Sequence, residues 1–456
     1  MEKFDVIIIG FGKGGKTLAA DLADRGRKVA VVERSEKMYG GTCINIGCIP
    51  TKALVRDAKR ADELKDGTWE DKKAFYRRAV GRKDEVVARL RGKNYHNLAD
   101  RENITVYTGT GAFVSNRQVS VATPEETFLL EADRIVIDTG AETIVPPIEG
   151  VQESNHVYTS TTLMQLAELP ERLAIVGGGY IGLEFASMYA SFGARVTVLE
   201  GYPELIPRED RDIAAAVQET LMKKGIEFRM NARVSSIHDV ADASVVTYSD
   251  ARTGQVYTLP ADAVLLATGR KPATSGLNLE AAGVRTDERG AIVVDEQLRT
   301  SDPSIYALGD VKGGLQFTYI SLDDYRIVRD HWFGDRKRSV SDRNPVGYSV
   351  FIDPPLARIG LNEEEARRSN LDVRIKKLPV AGIPRAHTLG ETAGLFKAVI
   401  DARDGRILGC TLFGPEAGEI INLVALAMKA GLPAGFLRDF IFTHPSMGEA
   451  LNDLFA

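Results

Sequence analysis

Cysteine and tryptophan are scarce in this sequence, and its charges nearly cancel. The 456 residues include three cysteines and two tryptophans, and the formal net charge is −5. So few cysteines exclude a disulfide-rich secreted scaffold, and a slightly acidic balance gives no support to a nucleic-acid-binding protein. With 44% hydrophobic and 27% charged residues, the composition is that of an ordinary globular protein.

Long apolar segments are also missing. No run approaches the ~20 residues that a membrane-spanning helix needs. The first apolar run, in MEKFDVIIIG, is too short for the hydrophobic region of a signal peptide with its cleavage site. We therefore expect a cytoplasmic protein that binds neither membrane nor nucleic acid. Stable structural disulfides are rare in that compartment, so closely spaced cysteines there more often do chemistry or bind metal.

Glycine, by contrast, is abundant and is patterned in FDVIIIGFGKGGKTLAADLADRGRKVAVVE. An apolar strand at 6–9 is followed by Gly10, Gly12 and Gly15, a helical stretch, and a second strand at 29–32 that ends at Glu33. In a dinucleotide site the first glycine allows a tight turn, the second admits the pyrophosphate, and the third lets the helix pack on the strand. The helix start then binds phosphate, and the acid accepts hydrogen bonds from a ribose.

The whole arrangement recurs in RLAIVGGGYIGLEFASMYASFGARVTVLE. Gly177, Gly179 and Gly182 follow the strand at 174–176, and Glu200 stands 18 residues beyond the last glycine, as Glu33 does in the first segment. One glycine motif alone is weak evidence, but two complete units predict two dinucleotide sites, with two Rossmann-like folds lacking ligands as the alternative.

Two such sites suggest a flavin and a nicotinamide, with electrons passing from NAD(P)H to FAD and then to an acceptor. A carboxylate at Glu200 suits a free ribose 2′-hydroxyl and repels a 2′-phosphate. Arg208 lies eight residues further on, too far to reverse that preference. We therefore expect NADH rather than NADPH as the electron donor.

Three further strands end in small or polar residues, at Thr139-Gly140, at Thr268-Gly269-Arg270 and at Gly309-Asp310. Ligands of open parallel sheets lie beyond the carboxyl ends of the strands, so Asp310 is well placed to bind a polyol chain. A single aspartate at a strand end is more often a helix cap, and only its setting favours the binding role.

Two of the three cysteines stand in GGTCINIGCIPTK, as Cys43 and Cys48. Half a zinc site, a structural disulfide and a redox pair are the competing interpretations. A zinc site needs a second pair of ligands, and the six histidines form no cluster that could supply it. The remaining Cys410, in RILGCTLFG, is expected to be a small core residue. A cysteine pair beside a flavin can take up a hydride equivalent as its disulfide opens to the dithiol, and it can close again as a disulfide when those electrons pass on.

With these motifs, the sequence resembles the flavoprotein pyridine nucleotide–disulfide oxidoreductases, such as lipoamide dehydrogenase, glutathione reductase and mercuric reductase. The resemblance covers essentially the whole chain, and the segment at 40–52 is its most specific part. It implies that Cys43 is the interchange thiol that meets the substrate and that Cys48 faces the flavin. It also implies that Lys52 lies near the flavin and pairs with Glu184, and that Tyr180 gates the nicotinamide pocket.

The resemblance implies a full set of nucleotide contacts. FAD would be held by Gly10, Gly12, Gly15, Glu33, Gly41, Thr42, Lys52, Ala112, Thr139, Gly140 and the ribityl-binding Asp310. NAD would be held by Gly177, Gly179, Tyr180, Gly182, Glu200, Gly269 and Arg270.

The C-terminal FTHPSMGEALND resembles the family's HPTxxE segment, with Ser446 in the threonine position. His444 would be the acid–base group, oriented by Glu449, because each thiol–disulfide exchange moves a proton. In the family this histidine reaches the active site of the other subunit, which implies a homodimer. A strand at 346–351 and an apolar helix at 420–428 are expected in the dimerisation domain.

The resemblance implies an α/β fold with two Rossmann-like domains and a C-terminal α+β dimerisation domain. FAD is expected on residues 1–150 and 271–342, the nicotinamide nucleotide on residues 151–270, and the dimer contact on residues 343–456. The chain lacks the second cysteine pair of mercuric reductases and large thioredoxin reductases.

The segments at 39–55, 313–330 and 441–455 resemble a copper(II)-reducing subgroup linked to reactive-chlorine resistance. Cu(II) is therefore the expected acceptor, with Cys43 and Cys48 as transient copper contacts. A lipoamide-like or glutathione-like disulfide, a mercury-type metal substrate and a redox-sensing role without turnover remain the alternatives.

Overall fold

The structure is a computed structural model that describes residues 1–62 and 67–456. These residues form two compact units. Unit 1 comprises Met1–Ala53, Ala79–Val145 and Gly269–Arg343, and unit 2 comprises Leu54–Arg78, Pro146–Thr268 and Asn344–Ala456.

The helices follow one another along the chain with these bounds. They are α1 (Lys13–Asp24), α2 (Thr42–Asn45), α3 (Cys48–Ala61), α4 (Trp69–Ala99), α5 (Ser160–Leu163), α6 (Tyr180–Phe192), α7 (Arg211–Lys223), α8 (Thr318–Phe333), α9 (Glu363–Arg368), α10 (Pro384–Leu389), α11 (Ala417–Lys429), α12 (Ala434–Asp439) and α13 (Ala450–Leu454). Every helix in the described residues is too short or too polar to traverse a lipid bilayer.

The strands of unit 1 and of the first part of unit 2 precede residue 267. They are β1 (Glu2–Ile9), β2 (Val29–Glu33), β3 (Ile104–Thr108), β4 (Thr110–Ser115), β5 (Gln118–Ala122), β6 (Thr127–Ile137), β7 (Ala141–Thr143), β8 (Val157–Thr159), β9 (Arg172–Val176), β10 (Arg195–Glu200), β11 (Glu227–Met230), β12 (Ala232–Val240), β13 (Ala243–Asp250), β14 (Val256–Ala261) and β15 (Ala263–Leu266).

The later strands complete unit 1 and build the C-terminal part of unit 2. They are β16 (Arg270–Pro272), β17 (Ile305–Ala307), β18 (Tyr348–Val350), β19 (Leu356–Gly360), β20 (Val373–Pro379), β21 (Leu395–Asp401) and β22 (Ile407–Phe413).

The sheet of unit 1 has β1 at its centre, in the order β3-β2-β1-β6-β5-β4, and β17 also pairs with β6. Strands β3, β2, β1, β6 and β17 are parallel, and β4 and β5 add antiparallel neighbours to β6. Buried apolar clusters cover both of its faces, one of them beneath α1 and α8. Burial on both faces explains why β1 is a continuous apolar run in the sequence.

The parallel sheet of unit 2 repeats this arrangement around β9, in the order β11-β10-β9-β15-β8. All of its pairings are parallel. In each sheet the strand that precedes the glycine motif is central and the strand that ends in the acid is its neighbour. The two Rossmann-like folds that the sequence predicts are therefore present, and a separate antiparallel sheet of β12, β13 and β14 follows β11.

The C-terminal part of unit 2 is a five-stranded antiparallel sheet in the order β18-β19-β22-β21-β20. Its core contains the buried face of α11 and residues of α13. Cys410 lies within that core and is 0% exposed, as the sequence predicts.

The two elements predicted for the C-terminal part are present with different bounds. The expected strand at 346–351 is only Tyr348–Val350, and the Phe351 N–H that follows it donates to the Glu184 carboxylate at 2.8 Å. The expected helix at 420–428 extends to Ala417–Lys429.

Candidate active site and nucleotide sites

The turn between β1 and α1 requires glycine at three positions. Gly10 has a φ of 106°, and a Cβ there would lie 2.2 Å from the Asp138 carbonyl oxygen. A Cβ on Gly12 or Gly15 would lie 2.5 or 2.7 Å from Oδ2 of Asp138. The Gly15 N–H donates to that oxygen at 2.7 Å, and burial raises the Asp138 pKa well above its ordinary value.

Asp138 is a residue that sequence reasoning missed. It directly precedes Thr139-Gly140 at the end of a central strand, so its place in the strand was the available signal. Its carboxyl group packs against the glycine turn. A side chain at position 12 would therefore clash with Asp138, in addition to blocking the approach of a pyrophosphate.

The turn between β9 and α6 has the same shape. Gly177 has a φ of 107°, and a Cβ there would lie 2.6 Å from the Ala267 carbonyl oxygen. A Cβ on Gly182 would lie 2.1 Å from the Gly177 carbonyl oxygen. At Gly179 an added Cβ meets nothing within 4 Å. That open space at the start of a helix fits the phosphates of a nicotinamide nucleotide.

The two strand-end acids occupy matching positions. Glu33 accepts the N–H groups of Phe11 at 3.2 Å and Ser35 at 3.3 Å. Glu200 accepts those of Gly178 at 2.6 Å and Tyr202 at 2.8 Å. Each carboxylate is thereby fixed against its own glycine turn, which is the orientation that ribose recognition requires.

Arg208, the basic residue nearest to Glu200 in the following loop, has an exposed side chain. Its carbonyl oxygen accepts hydrogen bonds from Arg358 at 2.7 Å and from Asn362 at 3.0 Å. These two bonds fix the backbone of the loop to the C-terminal part of unit 2.

Asp310 lies in a 3₁₀ turn at Gly309–Lys312, at the end of β17. Burial raises its pKa, while the charges of Arg270 and Lys312 partly oppose that rise. Thr139 donates to the Ala273 carbonyl oxygen at 2.8 Å.

Asp324 is a second residue that the sequence does not single out. It is 0% exposed and accepts the Gly309 N–H at 2.7 Å. This hydrogen bond fixes the turn that presents Asp310.

Gly269 and Arg270, expected at the nicotinamide site, lie in unit 1. Arg270 is on β16 and donates to the Ala141 carbonyl oxygen on β7. Burial lowers its pKa, and Asp310 and Glu142 counter that effect. Ala112 lies on β4, where its carbonyl accepts the Ser120 hydroxyl at 3.3 Å.

The cysteine pair lies against the first glycine turn. Cys43 is in the short helix α2, Cys48 is the first residue of α3, and both are free thiols. Gly41 has a φ of 79°, and a Cβ there would lie 2.7 Å from Cα of Gly12. The pair is therefore held directly beside the predicted phosphate site.

Polar side chains fix this segment. Asn45 donates to the carbonyl oxygens of Tyr39 and Gly41, each at 2.9 Å. The Lys16 ammonium donates to the Gly40 carbonyl at 3.0 Å and to Asn94 at 2.6 Å. Burial and Lys13 lower the pKa of Lys16 to about 8.

The two thiols are electrostatically different. A hydrogen bond with Cys43 is the main cause that lowers the pKa of Cys48 to about 6, and Thr318 and Lys52 act in the same direction against burial. The same hydrogen bond, together with burial, raises the pKa of Cys43. These opposite shifts favour the thiolate form of Cys48, with Cys43 as the donor of the hydrogen bond to it.

Thr318 is the main active-site residue that sequence reasoning missed. Its hydroxyl oxygen lies 3.5 Å from the Cys48 sulfur at a sequence separation of 270. The surrounding segment GGLQFTYIS is part of the resemblance to the copper-reducing subgroup, but nothing local to it indicates a thiol contact.

Lys52 lies on α3 in unit 1, and Glu184 lies on α6 in unit 2. Glu184 is 8% exposed and accepts the Phe351 N–H at 2.8 Å. The Lys52–Glu184 pair stays a prediction.

Tyr180, the first residue of α6, donates its hydroxyl to Glu209 at 2.5 Å.

His444 and Glu449 are adjacent in space. Nδ1 of His444 lies 2.8 Å from the Glu449 carboxylate. The Ser446 hydroxyl donates to the Thr443 carbonyl at 2.8 Å and accepts the Glu449 N–H at 3.2 Å, which fixes the loop between them. The histidine side chain is 70% exposed, so it is available to a group outside its own subunit.

In residues 1–62 and 67–456, no group of three or more histidine, cysteine, aspartate or glutamate side chains could hold a metal ion. The pair Cys43 and Cys48 stays a candidate for transient copper contact.

Comparison with known proteins extends these observations. Residues 4–324 match the family model described as pyridine nucleotide-disulphide oxidoreductase, and residues 346–455 match its dimerisation domain. The chain is 51% identical to RclA of Escherichia coli, a relative named as a probable pyridine nucleotide-disulfide oxidoreductase, over 100% of this chain and 99% of the relative. It is 33% identical to dihydrolipoyl dehydrogenase of Geobacillus stearothermophilus, over 98% of this chain and 94% of the relative.

Among solved structures, one described as the Cu(II) complex of the HOCl-induced flavoprotein disulfide reductase RclA from Escherichia coli has a TM-score of 0.94 with this chain. It is 50% identical and covers 100% of this chain and 99% of its own.

Proposed function

This chain belongs to the pyridine nucleotide–disulphide oxidoreductase family, and from that premise we propose that it passes electrons from NADH through FAD and the Cys43–Cys48 pair to Cu(II). The family makes the protein an NAD(P)H-dependent flavoprotein oxidoreductase of the disulfide-reductase type. The observation that carries the proposal is the thiol pair itself, which combines one thiolate of low pKa with one protonated neighbour.

The described residues of unit 1 fit FAD. The glycine turn offers a phosphate site, Glu33 is fixed for a ribose, and Asp310 lies at a strand end for the ribityl chain. When bound, FAD would supply the group that accepts a hydride equivalent from the nicotinamide and passes the electrons to the disulfide form of the cysteine pair.

The reduced cysteine pair then donates two electrons. A dithiol with Cys48 as thiolate and Cys43 protonated can reduce two Cu(II) ions to Cu(I), as the two sulfurs form one disulfide bond and Cys43 releases its proton. Lys52 and Thr318 stabilise the thiolate form of Cys48 before that step. Both sulfurs are soft ligands, which suit copper, and they can contact the ion transiently.

Support for the metal acceptor comes from the similar structure described as a Cu(II) complex of an HOCl-induced reductase. We therefore place the protein in the cytoplasmic defence against reactive chlorine and other oxidants. A lipoamide-like disulfide is the second candidate, since the chain is also similar to a dihydrolipoyl dehydrogenase.

NADH is the proposed donor. The Glu200 carboxylate is held at the end of β10 by two backbone N–H groups and is only 9% exposed. A nucleotide 2′-phosphate there would meet a like charge in a poorly solvated site, whereas a ribose hydroxyl would donate to it.

The functional molecule is proposed to be a homodimer in which His444 serves the thiol pair of the partner subunit. The match to a dimerisation domain at 346–455 supports dimer formation. Apolar side chains are exposed on this part of the chain, at Leu423, Leu426, Phe436, Phe440 and Ile441. Surfaces of this kind mark protein contacts. The three-domain division predicted from the sequence remains part of this proposal.

A steady-state screen tests the acceptor. The purified holoenzyme is mixed with NADH and with Cu(II), Hg(II), lipoamide, oxidised glutathione or O₂ in turn, and NADH oxidation and Cu(I) formation are measured. We expect Cu(II) to give the highest kcat/KM and Cys43→Ala to abolish most of it. Cys410→Ala is the matched control, because that thiol is buried in the core of the C-terminal sheet.

Two other outcomes of the screen would change the proposal. Turnover of lipoamide above Cu(II) would replace the copper proposal. A redox sensor would show no sustained NADH consumption with any acceptor.

A further inference from the structure

The side chain of Tyr180 is tied down at the start of α6. Its hydroxyl donates to Oε1 of Glu209 at 2.5 Å, and the Tyr348 hydroxyl donates to the same oxygen. The two hydroxyl oxygens are 3.2 Å apart, and the ring centroids are 5.7 Å apart. Two tyrosines therefore converge on a single carboxylate oxygen, and all three residues belong to unit 2.

Glu209 has no access to solvent. Its side chain is 0% exposed, and the nearest cation is Arg358, whose guanidinium lies 3.7 Å from the other carboxylate oxygen. That guanidinium also binds Glu365 and the Arg208 carbonyl. A buried carboxylate needs hydrogen-bond donors, so the tyrosine hydroxyls are its main direct partners.

Both hydroxyls remain donors. Burial and the Glu209 charge raise the pKa of Tyr180 and of Tyr348. Neither phenol therefore ionises near neutral pH, and each can donate to the carboxylate throughout that range.

The second tyrosine is presented by the C-terminal sheet. The segment that contains β18 runs beside α6: Tyr348 contacts Tyr180, Phe351 donates its N–H to Glu184 at 2.8 Å, and Asp353 donates its N–H to Ser187 at 3.1 Å. These hydrogen bonds hold the segment in place, so the Tyr348 hydroxyl stays next to Glu209 even when the Tyr180 side chain moves away.

We propose that Glu209 and Tyr348 are positioning residues that together set how easily Tyr180 moves to admit NADH. Glu209 holds the Tyr180 hydroxyl in the closed position, and Tyr348 keeps Glu209 paired when Tyr180 swings out. The inference rests on the proposed function, with NADH as donor, and on the family resemblance, which implies that Tyr180 gates the nicotinamide pocket. Without Tyr348, release of Tyr180 would leave a buried carboxylate with only the more distant Arg358.

The two tyrosines therefore have opposite effects on NADH binding. Tyr180→Phe keeps the ring but removes the hydrogen bond to Glu209, so KM for NADH should fall by about 10- to 140-fold, the range expected for one hydrogen bond to a charged acceptor. Tyr348→Phe makes opening less favourable, so KM for NADH should rise by about 3- to 10-fold. Glu209→Gln keeps an acceptor oxygen without the charge, and KM should fall by less than in Tyr180→Phe.

The measurement is KM and kcat for NADH on the FAD-loaded enzyme with a saturating acceptor, together with the rate of flavin reduction as a function of NADH concentration. All three variants should change KM while kcat stays within about twofold. In the double variant Tyr180→Phe/Tyr348→Phe, the Tyr348→Phe substitution should not change KM further, because the hydrogen bond from Tyr180 to Glu209 is already lost. Tyr257→Phe removes a hydroxyl from a tyrosine that stacks on Tyr248 in the small antiparallel sheet, and it should leave KM unchanged.

Four results would overturn the proposal: an unchanged or raised KM in Tyr180→Phe, an unchanged or lowered KM in Tyr348→Phe, an unchanged or raised KM in Glu209→Gln, or a Tyr348→Phe effect that persists in the Tyr180→Phe background. Failure of the proposed function gives a different result, because the unmodified enzyme itself would not oxidise NADH. If Tyr348→Phe does not fold, Tyr180→Phe and Glu209→Gln decide the matter by themselves.

Discussion

At the scale of the residue, the chemistry depends on an asymmetry between two neighbouring thiols. Cys48 begins a helix, receives a hydrogen bond from Cys43 and lies near Lys52, and these effects lower its pKa to about 6 in spite of burial. The pKa of Cys43 is raised by its donation to that thiolate. The shifts therefore favour the thiolate on Cys48, which the family resemblance places toward the flavin, while Cys43, the thiol proposed to meet the acceptor, retains a proton until the disulfide closes.

The thiolate should be visible as the long-wavelength absorbance that a thiolate gives beside an oxidised flavin. Since the Cys48 pKa is lowered to about 6, the band of two-electron-reduced enzyme should be present above that pH and should disappear as the pH falls through it. A pH titration followed by absorbance measures this.

Variants separate the two thiols. Cys48→Ser should abolish the band. Cys43→Ser keeps a hydroxyl donor and should retain the band, whereas Cys43→Ala removes the main cause of the lowered pKa and should shift the titration to higher pH. A band that survives Cys48→Ser would reverse the assignment of the two cysteines.

The second prediction at this scale concerns Glu200 and the choice of nucleotide. Because its carboxylate repels a 2′-phosphate, kcat/KM for NADH should clearly exceed that for NADPH, and Glu200→Ala should reduce the ratio by about 10-fold or more. Steady-state kinetics with both nucleotides give the ratio. Glu204→Ala is a suitable control, since Glu204 is a surface residue paired with Arg211. An unmodified enzyme that prefers NADPH would contradict the assignment.

At the scale of the element, each nucleotide site is a strand, a glycine turn and a helix whose glycines differ in what they tolerate. Gly177 combines a φ of 107° with a carbonyl oxygen 2.6 Å from the position that a methyl group would take, whereas Gly179 has a φ of −71° and open space around it. The first glycine is thus required by the fold, and the other is required only by what occupies the space beside it.

Gly177→Ala and Gly179→Ala should accordingly fail in different ways. Gly177→Ala should destabilise the protein by about 1–3 kcal/mol or more, because alanine is strained at that φ and meets the backbone after β15. Gly179→Ala should fold normally and raise KM for NADH several-fold, since the new methyl group occupies the phosphate space. Thermal unfolding and NADH titration distinguish the two. If Gly179→Ala lost as much stability as Gly177→Ala, the fold itself would require glycine at position 179, and the prediction of a ligand space there would be wrong.

At the scale of the whole molecule, the proposal is that His444 of one subunit completes the thiol site of the other. Its ring is oriented by Glu449 at 2.8 Å and is 70% exposed. The dimerisation match at 346–455 covers this segment. A histidine has the pKa range needed to move the protons of thiol–disulfide exchange near neutral pH.

Complementation between subunits tests this arrangement. His444→Ala should lower disulfide-linked turnover by about 10²- to 10⁴-fold, while flavin reduction by NADH should persist. Mixing inactive His444→Ala with inactive Cys43→Ala subunits should restore activity up to one intact site in each mixed dimer. Turnover with Cu(II) should tolerate His444→Ala better, because a metal ion needs no thiol leaving group. Equal small losses with both acceptors, or no recovery on mixing, would remove His444 from this role.

Both nucleotide turns, the acids that follow them and the thiol pair could be predicted from local sequence patterns. Each depends on local rules: glycine is needed where φ is positive, buried parallel strands are continuously apolar, and the acid stands at a fixed distance along the chain. The positions of Gly10, Gly177, Glu33 and Glu200 in the structure agree with those rules.

The distant side chains that support these elements could not be predicted in this way, because packing brings them together. Thr318 reaches Cys48 across 270 positions, and Tyr348 reaches Tyr180 across 168. Asp138 supports the first turn through a contact at a separation of 123. Local periodicity carries no information about such pairs, because they follow from how sheets and helices pack. The opposed pKa shifts of Cys43 and Cys48 are likewise set by burial and by the distance between two sulfurs, and spacing in the sequence gives neither quantity.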